Sequence, residues 1–449
     1  MYITYPSPER RKSMSFEDLM GDSFDIDNAV MYDPTNTVTR FCKNLDNPIT
    51  RKYPFHKEEF VEKLRSIRER YDSEYQKTSW IDSTYSFIRA KKKNIKGLEK
   101  KIEWETKHGA SQDAARARAA LEAEKNALAV ATRRMNSQED FPYYSFDIPK
   151  RTGGTRRIDA PKEKLSAALV EVRDLLTNAM PADHHTTAFA YTKGRACIDL
   201  MKKHHKWNSR WFCKFDFSDF FGTVTLEFTM RMLKMQYPFC LLNDEETELL
   251  SNVLSLGFAA NGLPQGTPLS PALTNLIMIP FDHYISSKLD REIGTKMEVG
   301  KNYHVHFVYT RYADDILISC RYKFDPKQVE SLIMEAIHWF KAPFILNVKK
   351  TTFGNCSGSN YHFGMIINAD HKIALGSEKN RQLKAMIQQY GCDKINHIRV
   401  YPDRARCIMG NINYLHQIDP GYCKYVLDKY GKKFGFDIMS ELKMDAKRT

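Results

Sequence analysis

The sequence predicts an α+β protein, and three observations carry that prediction. Tyr312-Ala313-Asp314-Asp315 sits between two runs rich in β-branched and aromatic residues. A second apolar run, Trp211-Phe212-Cys213-Lys214-Phe215-Asp216-Phe217, ends on a carboxylate. Long helical patterns occupy residues 86–135 and the C-terminal part of the chain. The flanks of the first stretch, residues 304–309 and 316–319, read as strands. Asp is a turn former, so the Asp pair belongs at the tip of a hairpin, where both side chains can face one spot. Two carboxylates 4 Å apart repel by about 4 kcal/mol at an effective dielectric near 20. A cation relieves that repulsion, and hard oxygen ligands favour Mg²⁺.

The other elements follow in chain order. Residues 1–85 are mixed, with helical spacing around Phe60, Val61, Leu64 and Ile67. In residues 86–135, Ile88, Ile95, Leu98 and Ile102 form one stripe, and Lys91, Lys92, Lys93, Lys96, Lys100 and Lys101 surround it. A break at His108-Gly109-Ala110-Ser111, with Ser111 as N-cap, precedes a second stripe through Ala114, Ala117, Leu121, Leu128 and Met135. The pattern predicts an antiparallel helical hairpin. Ile148 to Ile158 reads as a hairpin turning at Gly153-Gly154, with Lys150 and Arg156 on its strands. Tyr191, Lys193, Gly194 and Arg195 begin a basic-aromatic stretch suited to a template strand. Asp216 near the end of so apolar a strand is costly unless paired or metal-bound; Asp219 better fits a helix cap. In Pro264-Gln265-Gly266-Thr267-Pro268-Leu269-Ser270-Pro271, Ser270 caps a helix that begins at Pro271 and continues through Leu273, Ile277, Phe281 and Ile285.

Composition narrows the partners. The 449 residues suffice for two or three domains, and the net charge of +13 suits a polyanion, nucleic acid first. No apolar run reaches the length of about 18 residues that a membrane span needs. The N-terminus lacks an apolar signal core, so a cytoplasmic protein without membrane contact is expected. The nine cysteines are scattered, without a Cys-x-x-Cys pair, and predict reduced thiols and no zinc site.

Taken together, residues 144–435 resemble the bacterial reverse transcriptases of the retron and group II intron branch. The motifs occur in family order. The resemblance makes Asp216, Asp314 and Asp315 the catalytic carboxylates and ligands of two Mg²⁺ ions, with Mn²⁺ as a substitute. Within Leu346-Asn347-Val348-Lys349-Lys350-Thr351, it makes Lys350 the acid for the leaving group. It assigns Lys150 and Arg156 to the triphosphate. Asp219, Phe220, Phe221 and Gln265 fall in the nucleotide pocket, with Phe221 screening the sugar 2′ position. Tyr312, Phe363 and Gly364 fall at the primer and template. The implied fold is a right-hand polymerase: helical extension 1–143, fingers 144–212, palm with an antiparallel sheet 213–374, and helical thumb 375–449. The implied partners are an RNA template, deoxynucleoside triphosphates and the DNA product, with the N-terminal helices a candidate surface for RNA or self-association.

Some residues depart from the retron pattern. No Asn-Ala-x-x-His element lies between Gly222 and Gly262, and His362-Phe363-Gly364 stands where Val-Thr-Gly is usual. No maturase or endonuclease module is expected after the thumb. The pattern looks most like the antiphage-defence reverse transcriptases, which often copy a dedicated noncoding RNA. A retron-type enzyme making RNA-linked DNA, a template-independent polymerase of the abortive-infection type and a silent RNA-binding scaffold are the alternatives.

Overall fold

A computed structural model describes residues 30–32, 38–40, 54–107, 111–137, 142–149, 155–180, 183–259, 262–297, 305–356 and 363–447. Lys150, the Gly153-Gly154 turn, the helix break at 108–110 and His304 lie outside the described residues. The chain divides into two compact units that interleave in sequence. One comprises Met1–Tyr191, Phe217–Tyr284 and Ile333–Leu346; the other comprises Thr192–Asp216, Ile285–Leu332 and Asn347–Thr449.

The first unit contains a short strand pair, β1 (Val30–Tyr32) and β2 (Val38–Arg40), then helix α1 (Lys57–Arg70). Its buried residues Phe60, Val61, Leu64 and Ile67 are those of the apolar spacing. The helical hairpin forms from α2 (Asp72–Lys107) and α3 (Ser111–Ser137). Helix α2 starts well before Ser86, because residues 72–85 contain no Gly or Pro to stop it. The two helices pack antiparallel, and Lys91 pairs with Glu124 at 3.1 Å. Ile88, Ala114 and Ala117 are buried at this seam. Lys91 is therefore committed to the hairpin itself, whereas Lys93, Lys96 and Lys100 are exposed. Next come β3 (Tyr143–Pro149) and β4 (Thr155–Pro161), antiparallel and in register from Tyr143↔Pro161 to Pro149↔Thr155. Helix α4 (Glu163–Ala179) follows, burying Leu165, Leu169, Val172 and Leu176.

The second unit is built on an antiparallel four-stranded sheet. Before it comes α5 (Cys197–Lys206). The strands are β5 (Trp211–Asp216), β6 (Phe307–Tyr312), β7 (Asp315–Cys320) and β8 (Thr352–Asn355), in the order β6-β7-β5-β8. Strand β6 begins at Phe307, later than the reading from His304. His306 is diverted from the ladder: its Nδ1 meets Asp290 at 2.5 Å and its ring lies against Trp207. A buried polar bridge supports the hairpin from below. Nδ1 of His204 on α5 lies 2.5 Å from the Ser319 hydroxyl, and its Nε2 lies 2.8 Å from Thr310 Oγ1. The Ser319 hydroxyl donates onward to Ser209 at 2.7 Å, extending the bridge. Each strand of the hairpin is thereby fixed to one imidazole.

The first unit then resumes with α6 (Phe220–Thr223), α7 (Leu226–Lys234) and α8 (Asp244–Ser255). These lead to α9 (Ser270–Ile277) and α10 (Ile279–Lys288). The continuous helix expected from Pro271 through Ile285 is interrupted at Met278, although Leu273, Ile277, Phe281 and Ile285 are all buried. The cap also differs. Thr267 Oγ1, not Ser270, accepts a helix-entry amide, that of Ser270 at 3.1 Å. The Ser270 hydroxyl donates instead to the Pro264 carbonyl at 2.8 Å, closing the loop on itself. Phe344 centres the core of this unit, with Phe217, Phe220 and Phe228 rings 4.9, 5.1 and 5.4 Å away.

In the second unit, α11 (Pro326–Trp339) begins and runs on into the first. A short hairpin, β9 (Met365–Ile367) and β10 (Ile373–Leu375), then leads into four helices. These are α12 (Ser377–Ile395), α13 (Pro402–Ile418), α14 (Pro420–Phe434) and α15 (Ile438–Lys447). They bury Ile387, Tyr390, Ile408, Ile412, Leu415 and Leu442. The buried Asp445 carboxylate is satisfied by Tyr390 at 2.8 Å and Lys394 at 3.2 Å. No described helix is long and apolar enough to cross a membrane.

Candidate active site

The sheet brings the three predicted carboxylates together. Asp216 ends β5 and is directly opposite Asp315, the first residue of β7. Tyr312 pairs with Asp315 across the hairpin, leaving Ala313 and Asp314 as the turn. Ala313 adopts a left-handed φ of 57°, which a two-residue hairpin with right-handed strand twist requires of a turn residue. Arg311, fully buried, reaches forward to donate to the Ala313 carbonyl at 3.3 Å and so braces that turn.

Two lysines neutralise two of the carboxylates. Lys350 Nζ lies 2.9 Å from both oxygens of Asp216, and Lys214 Nζ lies 2.9 Å from Asp315. Asp216 is also fixed through its backbone, its carbonyl accepting from the Asn347 amide at 2.8 Å. Burial pushes the Asp314 carboxyl above the usual range, and the neighbouring Asp315 charge pushes it further. Burial raises Asp315 too, opposed by Lys214. The hydrogen bond to Asp216 holds the Lys350 ammonium above its ordinary value. Crowded carboxylates disfavour ionisation, and each lysine reduces that cost.

The resemblance gives Lys350 the role of proton donor, and the structure pairs it with Asp216. Lys214 is absent from the residues that the motifs pick out, although the sequence carries a signal for it. Side chains two apart on a strand share a face, so Lys214 had to stand beside Asp216.

The donor set fits a divalent cation. It consists of hard carboxylate oxygens under mutual repulsion, and ammonium groups now stand where positive charge is needed. Among the described residues no three His, Cys, Asp or Glu side chains converge closely enough to hold an ion as they stand. Asp216 and Asp315 are turned onto their lysines, and the Lys350 side chain is 58% exposed.

The same unit places Phe363 beside this cluster. Its ring packs on Tyr312 at 4.7 Å, and Lys214 lies 5.8 Å above its face. Phe363 and Gly364 both adopt left-handed φ, 56° and 81°.

In the other unit, Phe221, Gln265 and Arg156 are linked by backbone. The Leu263 amide donates to the Phe221 carbonyl at 3.0 Å, and the Asp159 amide donates to the Gln265 carbonyl at 2.7 Å. The Pro264-Gln265-Gly266 loop is thus seated on the strand that carries Arg156, which is exposed. Gly262 must lack a side chain, because a Cβ there would sit 2.3 Å from the Gly222 carbonyl oxygen. Asp219 occupies the cap position before α6 with φ 50°, but its carboxylate makes no capping bond. The carboxylate lies over Gly222, where an added Cβ would approach it to 2.6 Å. Phe220 is buried in the Phe344 cluster, so it is a core residue. Half-buried Phe221 meets Tyr191 edge-on at 6.1 Å.

Stability in the absence of metal has a defined pH dependence. A carboxyl whose folded pKa is raised favours the folded protein below its unfolded pKa and opposes folding as pH rises through the folded value. Asp314→Asn removes that opposition. In chelator near neutral pH the variant should melt higher than wild type, and the gap should close as pH falls into the ordinary carboxylate range. A variant that melts at or below the wild-type temperature at neutral pH contradicts the electrostatic account.

Residues 148–388 match the family described as reverse transcriptase (RNA-dependent DNA polymerase). The chain is 24% identical over 306 residues to the retron Ec83 reverse transcriptase of Escherichia coli, covering 65% of this chain and 87% of that one. It is 29% identical over 305 residues to the retron Mx162 reverse transcriptase of Myxococcus xanthus, covering 62% and 58%. Among solved structures, apo telomerase from Candida tropicalis aligns with a TM-score of 0.39 at 12% identity, covering 65% of this chain and 59% of that one. The chain belongs to the reverse transcriptase family, the RNA-directed DNA polymerases.

Proposed function

We propose that this protein copies a dedicated, structured RNA into DNA, with Asp216, Asp314 and Asp315 as ligands for two Mg²⁺ ions. The observation that carries the reading is the register of the sheet: Asp216 faces Asp315, and Asp314 follows a braced left-handed turn residue. When bound, divalent ions make the primer 3′-hydroxyl acidic and offset charge on the triphosphate. The residues of the chain do the rest. Lys350, released from Asp216, donates a proton to the departing pyrophosphate oxygen. Arg156 and Lys150 hold the triphosphate, with Arg supplying a planar fork and Lys a point charge. Gln265 and Asp219 contribute to the nucleotide pocket. Phe221 excludes a 2′-hydroxyl by bulk. Tyr312, Phe363 and Gly364 hold the primer end. Residues 144–212 serve as fingers, 213–374 as palm and 375–449 as thumb, with 1–143 an added helical region.

The proposed setting is bacterial antiviral defence in the cytoplasm. A second reading, a retron-type enzyme making RNA-linked single-stranded DNA, is favoured by the curated relatives, which include retron reverse transcriptases. Sequencing the nucleic acid that co-purifies with the protein separates them: DNA joined to RNA supports the retron reading, and free complementary DNA opposes it. The defence role fails if cells carrying the protein and its native flanking sequence resist no phage in a broad panel.

The polymerase assignment is tested by primer extension with and without an RNA template. Wild type should extend only with template, and Asp314→Asn or Asp315→Asn should fall to background while retaining wild-type RNA affinity. Template-independent extension, or near-normal extension by both variants, overturns the assignment.

Sugar discrimination has its own test. Phe221→Ala should lower the preference for deoxynucleotides over ribonucleotides by at least about tenfold, which corresponds to about 1.4 kcal/mol. An unchanged ratio assigns the screening to another residue.

The helical hairpin is proposed to hold RNA through its exposed lysines. Each phosphate contact contributes about −0.7 to −0.9 to the slope of log affinity against log salt. Replacing Lys93, Lys96 and Lys100 with Gln should therefore flatten the slope by about 2 and leave extension of a generic primer-template intact. An unchanged slope and affinity would sink the RNA role and leave self-association as the reading to test by solution mass.

A further inference from the structure

The Phe363–Gly364 turn is held by more contacts than its own short hairpin supplies. The Phe363 carbonyl accepts from two donors on different helices: Tyr414 Oη of α13 at 2.8 Å and Lys379 Nζ of α12 at 3.2 Å. The donors also meet each other, with Lys379 Nζ 4.9 Å from the centre of the Tyr414 ring. The Gly364 carbonyl accepts from the Gly376 amide at 2.9 Å, one residue before α12 begins. The Lys379 stem crosses the turn so closely that a Cβ on Gly364 would lie 2.5 Å from it. At the far end of the hairpin, His371 and His205 stack at 4.7 Å, and each ring meets the other's carbonyl.

These ties fix a conformation that Phe363 does not favour by itself. A bulky residue at φ 56° is costly, and such geometry persists only where its surroundings impose it. The result is a ring lodged between Tyr312 and Lys214, beside Asp315.

We propose that Tyr414 and Lys379 are positioning residues. They set the Phe363 carbonyl and so transmit the placement of helices α12 and α13 to Tyr312 and Lys214 at the carboxylates. Neither residue touches the reacting atoms. Their effect is on how firmly the primer end is held. Burial pushes the Tyr414 hydroxyl up to about 12, so it remains a donor at any working pH. The inference rests on the reading of Phe363 as a primer contact.

The test uses the full-length protein on an RNA template annealed to a DNA primer. Tyr414→Phe and Lys379→Met remove one donor each while keeping the bulk of the side chain. Each should raise the dissociation rate of the primer-template by about three- to tenfold, the factor one hydrogen bond carries. The KM for deoxynucleotide should stay within about twofold. Because both donors serve one acceptor, each single variant leaves the carbonyl one partner, and the double variant, which leaves it none, should lose at least the product of the single effects. Lys379→Arg, which keeps a cationic donor, should recover most of the loss. Melting temperatures of all variants identify any that merely unfold, and Tyr414→Phe is the decisive one because it deletes a single oxygen. Phe363→Ala separates the positioning role from the primer contact. If it weakens primer retention while Tyr414→Phe and Lys379→Met do not, the positioning role is wrong. If Phe363→Ala itself leaves retention unchanged, the primer reading fails and the inference falls with it.

Discussion

Mutual repulsion of three carboxylates is the constraint around which the second unit is arranged. Asp216, Asp314 and Asp315 are forced together by strand register, and burial raises the cost of ionising the latter two. The fold resists that repulsion mechanically. His204 fixes both strands of the hairpin, Arg311 braces its turn, and the Asn347 amide holds the Asp216 carbonyl. It also resists electrostatically, through Lys214 and Lys350. Added positive charge would relieve the repulsion that remains at Asp314 and Asp315.

The two lysines are not equivalent. Lys350 is mostly exposed and lies on a short turn after Asn347, so it can leave Asp216 with little rearrangement. Lys214 is fixed on the central strand and is only 25% exposed in its side chain. Its ammonium lies between Asp315 and the Phe363 ring, so a shift away from the carboxylate takes it toward the aromatic face, where a cation is still stabilised. The neighbouring turn, Tyr312 and the carboxylates thus share one electrostatic environment, and a change at any of them is felt by the others.

Much of this was legible in the sequence for definite reasons. An Asp pair between β-branched runs has few places to go except a hairpin tip, and Asp216 in an apolar strand demands a counter-charge. The helical hairpin was legible because its apolar spacing is regular, although its start was not, since residues 72–79 carry a single aromatic side chain, Tyr75, among polar ones. What escaped was set by distant partners. His306 is drawn from the ladder by Asp290. Thr267 rather than Ser270 accepts the helix-entry amide because the Pro264 carbonyl claims the Ser270 hydroxyl. The buried Arg311 and the donors to the Phe363 carbonyl also depend on contacts that local pattern does not encode. Lys214 is a different case: strand alternation was sufficient to place it beside Asp216.

Anomalous scattering from Mn²⁺ would show whether the three carboxylates hold metal. In crystals of the protein with an RNA-DNA primer-template and a non-hydrolysable deoxynucleotide, two manganese peaks are expected among Asp216, Asp314 and Asp315, about 3.5–4 Å apart. Lys214 and Lys350 should have withdrawn from the carboxylates. Absence of manganese from this cluster in a complex with nucleotide bound, with both lysines still paired to Asp315 and Asp216, would contradict the two-metal assignment.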